Sequence, residues 1–180
     1  MANIVLGTTT VISESNGAIT LNTDNPMFSA YKSSAQTGIA DWSANPVKIT
    51  FDAEDVDTHS AYNGSTFTVP SGYNGNYFIS SKVAMWALND SDLRDISLFI
   101  VKNGSRYDSI HIRYSTNDIA IAHPQITAIM PLVADDTIEI HVAMNTLDGS
   151  NSTAMASIRD YTTSFFTADR MTTFIGYRIQ

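Results

Sequence analysis

Cysteine is absent from the 180 residues, which excludes disulfide staples, thiolate zinc sites, thiol catalysis and iron–sulfur clusters. Basic residues are scarce: 10 Lys and Arg stand against 18 Asp and Glu, for a formal charge of −8. Nucleic-acid binding needs clustered Lys and Arg to neutralise phosphates, so no nucleic-acid partner is expected. Glu is nearly missing, with 3 against 15 Asp, and 7 Leu are outnumbered by 19 Ile and 9 Val. Asp favours turns where Glu favours helix, and β-branched side chains favour strands. No apolar run approaches the roughly 18 residues of a membrane-spanning helix, so no membrane insertion is expected. The opening Met1–Gly7 lacks a positive n-region, and its apolar run is too short for a signal peptide. On that reading the protein is made and left in a cytosol.

What is present points the same way. Ser (20), Thr (20) and Asn (13) give the profile of a polar-surfaced, loop-rich β protein. The length fits one domain and suffices for a core without metal or disulfide. Asn16-Gly17, Asn63-Gly64, Asn74-Gly75, Asn103-Gly104 and Asp148-Gly149 place five of nine glycines in dipeptides that favour tight hairpin turns. Between them lie β-rich runs at Val47–Phe51, Ser65–Val69, Tyr77–Met85, Ile96–Lys102, Tyr107–Tyr114, Ile119–Ile121, Gln125–Leu132, Thr137–Met144 and Thr172–Ile179. In Thr137–Met144, Ile138, Ile140, Val142 and Met144 share one face, the pattern of a half-buried strand. Ile96–Val101 is apolar on both faces, which predicts burial in the sandwich on one side and against another subunit on the other. Residues 147–163 read as a long loop with at most one helical turn. Residues 1–26 carry short β-like pieces and end at Asn25-Pro26, so they are expected to form an N-terminal arm or attachment segment. Residues 27–180 would then form the head.

Catalytic patterns are missing. There is no Gly-x-Ser-x-Gly, no phosphate-cradling loop and no dinucleotide fingerprint, and His59, His111, His123 and His141 read as surface or interface residues. Two acidic clusters, Asp52–Asp57 and Asp90–Asp95, hold carboxylates at the i, i+2 spacing that a hard cation accepts. Asp55, Asp57, Asp90 and Asp92 are the candidate calcium ligands, with solvated acidic loops as the alternative reading. Carboxylate pairs of the kind glycosidases use are set by separation in space, which spacing in sequence does not give. No catalytic residue is assigned, and no cofactor is required beyond optional calcium. Tyr73, Tyr77 and Phe78 are expected in the core.

From Met27 onward the order of motifs resembles the globular head of the complement C1q family, itself related to the tumour necrosis factor fold. Met27-Phe28-Ser29-Ala30-Tyr31-Lys32 is similar to the family's opening strand, and Val47–Asp52 to its second. Tyr62–Pro70 looks like the segment where a Tyr and a Gly precede a strand ending in Pro. Gly72–Ser80 is close to the Gly-x-Tyr-x-Phe turn and strand, and Leu98–Gly104 matches its Lys-Asn-Gly hairpin. Leu132–Ile140 resembles the Leu-x-x-Gly-Asp strand entry, with Ala134 and Asp135 departing from the usual Gly-Asp order. Thr173–Ile179 looks like the closing Phe-Ser-Gly-Phe strand. The resemblance implies an all-β jelly-roll sandwich of about ten antiparallel strands that assembles as a trimer and recognises other molecules. Ile96, Leu98, Phe99, Val101, Phe174 and Tyr177 are the expected trimer-interface residues.

A trimeric head on a short arm, with no cysteine and no Gly-x-y repeat, suggests a structural protein of a bacteriophage virion, made in the host cytoplasm. It would be a tail fibre or spike, or a capsid decoration. Expected partners are further copies of the chain, other virion proteins through residues 1–26, and a host cell-surface glycan or protein. An extracellular C1q-like binding module of a cell is the alternative, and a carbohydrate-active enzyme a further one.

Overall fold

The computed structural model describes residues 3–6, 9–15, 18–21, 25–39, 46–87, 93–114, 119, 121–147, 152–155 and 170–179, all in strands, turns or extended connections. No helix among them is long and apolar enough to cross a membrane. β1 (Asn3–Leu6), β2 (Thr9–Ser15) and β3 (Ala18–Leu21) form an antiparallel meander that pairs only with itself among the described residues. The first sheet of the head runs in the order β14 (Gln125–Leu132), β9 (Gly75–Lys82), β17 (Thr173–Ile179), β4 (Met27–Tyr31) and β7 (Ala53–Asp57). The second runs β12 (Ser105–Arg113), β11 (Leu93–Lys102), β15 (Thr137–Thr146) and β6 (Val47–Lys48), with β8 (Thr66–Thr68) also beside β15. A smaller sheet joins β13 (Ile121–Ala122), β10 (Ala84–Ala87), β16 (Ser152–Met155) and β5 (Gln36–Ile39).

Alternation along the strands explains why two sheets close on one core. Phe28, Ile79, Met130 and Phe174 from the first sheet pack in one cluster with Ile96, Leu98, Ile100, Ile138, Ile140 and Val142 from the second. Phe28 stacks on Tyr62 and Phe67 and meets the edge of Phe174, with ring centroids 5.3, 4.6 and 4.7 Å apart. Offset and edge contacts of this kind suit the charge distribution of aromatic rings and add to their burial. The inward side chains predicted for Thr137–Met144 are all buried.

Turn chemistry fixes the register. Asn103 (φ 51°) and Gly104 (φ 75°) make the two-residue link of the β11–β12 hairpin, where Lys102 pairs with Ser105. Both positions need the left-handed region, which Asn and Gly tolerate. Asn63-Gly64 is different: the Asn63 side chain accepts the Ser65 and Thr66 amides, closing a longer loop before β8. Asn74-Gly75 leads into β9, and Asn16-Gly17 and Asp148-Gly149 lie outside the described residues. Asp135, in the family's usual Gly position, sits at φ 69°, a conformation that Asp adopts more readily than most side chains.

Several expectations are corrected. The run Tyr77–Met85 is two strands in different sheets, broken at Val83, whose amide bonds to Pro124 O. The acidic segment at 53–57 is strand β7, not a loop, because it pairs with β4 at the edge of the first sheet. Within the expected loop at 147–163, Ser152–Met155 is a strand held between β10 and β5. The possible helical turn falls largely outside the described residues. Phe78 is not a core residue: it occupies the outward face of β9 and stacks on Tyr177.

Candidate functional site

The outward face of the first sheet carries the most unusual surface among the described residues. Pairing sets Ile129 opposite Phe78, Phe78 opposite Tyr177 and Tyr177 opposite Met27, so four strands contribute one continuous row. Successive side chains on a strand alternate between faces, so residues paired across the ladder share one face. Ile129 is 64% exposed, Met27 44% and Tyr177 42%, and the Phe78 and Tyr177 rings stack at 5.0 Å. The next row on this face is Thr127, Ser80, Ile175, Ser29 and Val56, with Val56 also exposed. Neither row contains a charged side chain. Charge enters one row further on, with Lys82, and at the β7 edge, where Arg170 pairs with Asp55 and lies over the Tyr31 ring.

In a chain of formal charge −8, an uncharged face with three large exposed hydrophobic side chains is well suited to contact another copy. Covering what remains exposed of each such side chain contributes about 1 kcal/mol. Like-charged copies also approach at least cost where neither presents a carboxylate.

The expected interface residues are divided by the structure. Tyr177 lies in the apolar row. Ile96, Leu98 and Phe174 have no exposed surface within their own chain, so they are core residues with nothing to present to a second subunit. Phe99 and Val101 do point away from the core, but they pack with Ala143 in a small cluster, and the Arg106 guanidinium covers the Phe99 ring at 4.4 Å. The second burial predicted for this strand is supplied by its own chain.

The calcium candidates are also divided. The Asp57 carboxylate accepts the amides of His59, Ala61 and Tyr62, which pins the turn after β7. Asp55 is paired with Arg170. Both carboxylates are therefore engaged within the fold, and Asp90 and Asp92 lie outside the described residues. Among the described residues, no group of three or more His, Cys, Asp or Glu side chains converges as a metal site would require.

Two other carboxylates tie the head together, and sequence spacing alone did not single them out for that role. Asp136 is 7% exposed and accepts Lys102 Nζ at 2.8 Å, Asn103 Nδ2 at 2.7 Å and the Val133 amide at 2.8 Å. Burial would raise its pKa, but these donors hold it below the ordinary carboxylate range. Asp52 accepts the Ser33 amide at 2.7 Å and the Ser34 hydroxyl. Burial opposes the charge there too, yet these bonds and nearby Lys32 bring its pKa down to about 2. Lys32 is itself buried, donating to Thr50 O at 2.8 Å, and desolvation lowers its pKa despite Asp52.

No protein-family profile matches the sequence, and no curated protein does. Solved structures do match. The globular domain of zebrafish complement 1qA superposes with a TM-score of 0.53 at 13% identity, covering 86% of this chain and 98% of that one. Murine APRIL, in a crystal structure at pH 5.0, superposes with a TM-score of 0.57 at 8% identity, covering 86% and 99%. A second murine APRIL structure, at pH 8.0, gives a TM-score of 0.57 at 9% identity with the same coverage. The fold of the chain is a C1q/TNF-like jelly roll.

Proposed function

We propose that this jelly roll is a non-catalytic recognition head that works as a homotrimer, anchored through residues 1–26 in a bacteriophage particle and presented to glycans on the host surface. The observation that carries the assembly is the uncharged row Ile129–Phe78–Tyr177–Met27 across four strands of the first sheet. The likeness to C1q- and tumour-necrosis-factor-type heads supports three copies around an axis, and the absence of charge from this row is the reason to turn it inward. The particle setting is supported by a cysteine-free core that needs no oxidising compartment. It is supported also by the β1–β2–β3 meander, which pairs with no strand of the head among the described residues.

Deleting residues 1–26 tests the anchoring role. Soluble trimers that no longer enter particles are the expected result, and trimers that still enter them would remove it.

A further inference from the structure

Strands β11, β12 and β15 bring together a second group of residues, on the outward face of the second sheet and apart from the apolar row. Asp95 pairs with Arg113 on one side and Asn145 on the other, and Ser97 pairs with His111 one step along. Two bulges create the arrangement. An extra residue at Tyr107 shifts β12 so that Arg113, rather than Ile112, faces the same side as Asp95. Arg94 is the extra residue where β11 meets β15, and a bulge re-aims a side chain in this way beside functional sites. Arg94, Asp95, His111, Arg113 and Asn145 line an open pocket of about 320 Å³.

The chemistry of this pocket is mixed. Asp95 is 7% exposed, and its Oδ1 is fully buried without a hydrogen-bond partner. Arg113 Nε at 3.5 Å is close enough for ion pairing and His111 Nε2 lies at 3.6 Å, yet both are too far to satisfy that oxygen. Asn145 Nδ2 donates to the other oxygen at 3.3 Å. Both guanidiniums are substantially exposed, so a chain of net charge −8 presents local positive charge here. The group is not a hydrolytic triad. Ser97 Oγ shares a 2.8 Å hydrogen bond with His111 Nδ1, but Ser97 is 3% exposed within a strand, where no substrate carbonyl reaches its hydroxyl.

We propose that this pocket binds one acidic sugar unit, its carboxylate held by Arg94 and Arg113, with Asp95 behind them orienting the two guanidiniums. The inference rests on the reading of the chain as a recognition head and gives that head a ligand class. Two exposed guanidiniums set over a buried carboxylate fit a ligand that carries one anionic group among neutral hydroxyls. Near neutral pH inorganic phosphate is a mixture of singly and doubly charged forms, the second of which Asp95 disfavours, whereas a neutral sugar leaves both guanidiniums unused. The volume suits one or two rings.

The test is a saturation-transfer NMR titration of the full chain with D-glucuronate, D-glucose and inorganic phosphate in parallel, the phosphate arm by competition against glucuronate. Binding of glucuronate alone is expected, weakened at least tenfold by Arg113→Gln and by Asp95→Asn. Asp95 is buried and its variant is liable to misfold. Arg113 is on an exposed edge, so retention of binding by Arg113→Gln alone overturns the proposal. Equal competition by phosphate would show a simple anion site, equal binding of glucose would remove the carboxylate's role, and no binding of glucuronate would remove the site. A trimer that takes no glucuronate sinks this proposal and leaves the assembly standing. A monomer that binds it does the reverse.

Discussion

At Gly176 two core side chains leave no room for a β-carbon, which would lie 2.5 Å from Phe28 Cε1 and 2.8 Å from Ile79 Cδ1. Gly176→Ala must displace both and is expected to cost about 1–3 kcal/mol, read from the midpoint of chemical denaturation. The hydrogen-bonded carboxylates make a prediction in pH. The folded pKa of Asp52 is near 2, below that of an unfolded Asp. Its contribution is therefore fully present above the unfolded value and is lost as pH falls through the folded one. Asp52→Asn is expected to be less stable than the parent at pH 6, with the gap narrowing toward pH 2 in the same assay. The direction at Asp136 is the same. Asp136→Ala leaves the Val133 amide and Asn103 Nδ2 without their acceptor, while Lys102 keeps Pro131 O, and is expected to cost about 1–3 kcal/mol. Sequence alone showed Asp136 as one of two adjacent acids and gave no sign that three donors converge on it.

The β11–β12 hairpin shows how far an element was legible. Asn103-Gly104 announced the turn, and the alternation of Ile96, Leu98 and Ile100 announced the inward face. Gly104→Ala places a β-carbon at φ 75° and is expected to lower stability by about 1 kcal/mol, a Tm drop of about 2–4 °C. The bulge at Tyr107 was not legible. Uninterrupted pairing from the turn would set Asp95 opposite Ile112, and a one-residue shift sends every side chain beyond it to the other face. His111 and Arg113, two apart on one strand, were the available signal for the pocket, but their partners lie on β11 and β15. Strand β7 was missed for a related reason. Its sequence, Ala-Glu-Asp-Val-Asp, has almost no apolar alternation, and the pairing with β4 imposes the strand. Ile96–Val101 was correctly seen as apolar on both faces. Its outer cover proved to be Arg106, which hydrophobic patterning does not count.

Across the whole molecule the two outward faces differ in character. One carries the uncharged row, the other Arg94, Arg106, Arg113 and Lys48 together with Asp95 and Glu139. The jelly roll was legible from motif order, since turns and strand entries are local. The apolar row was not, because Ile129, Phe78, Tyr177 and Met27 are distant in sequence and become neighbours only through the β14–β9–β17–β4 pairing. Ile129 is largely exposed, so Ile129→Glu is expected to keep the fold by circular dichroism while placing a carboxylate in each copy of the contact. The most direct measurement is the solution mass of the full chain by light scattering, beside that variant. The account predicts three times 19.6 kDa for the parent and a single chain for Ile129→Glu. A parent that stays monomeric, or a variant that stays trimeric, would contradict it.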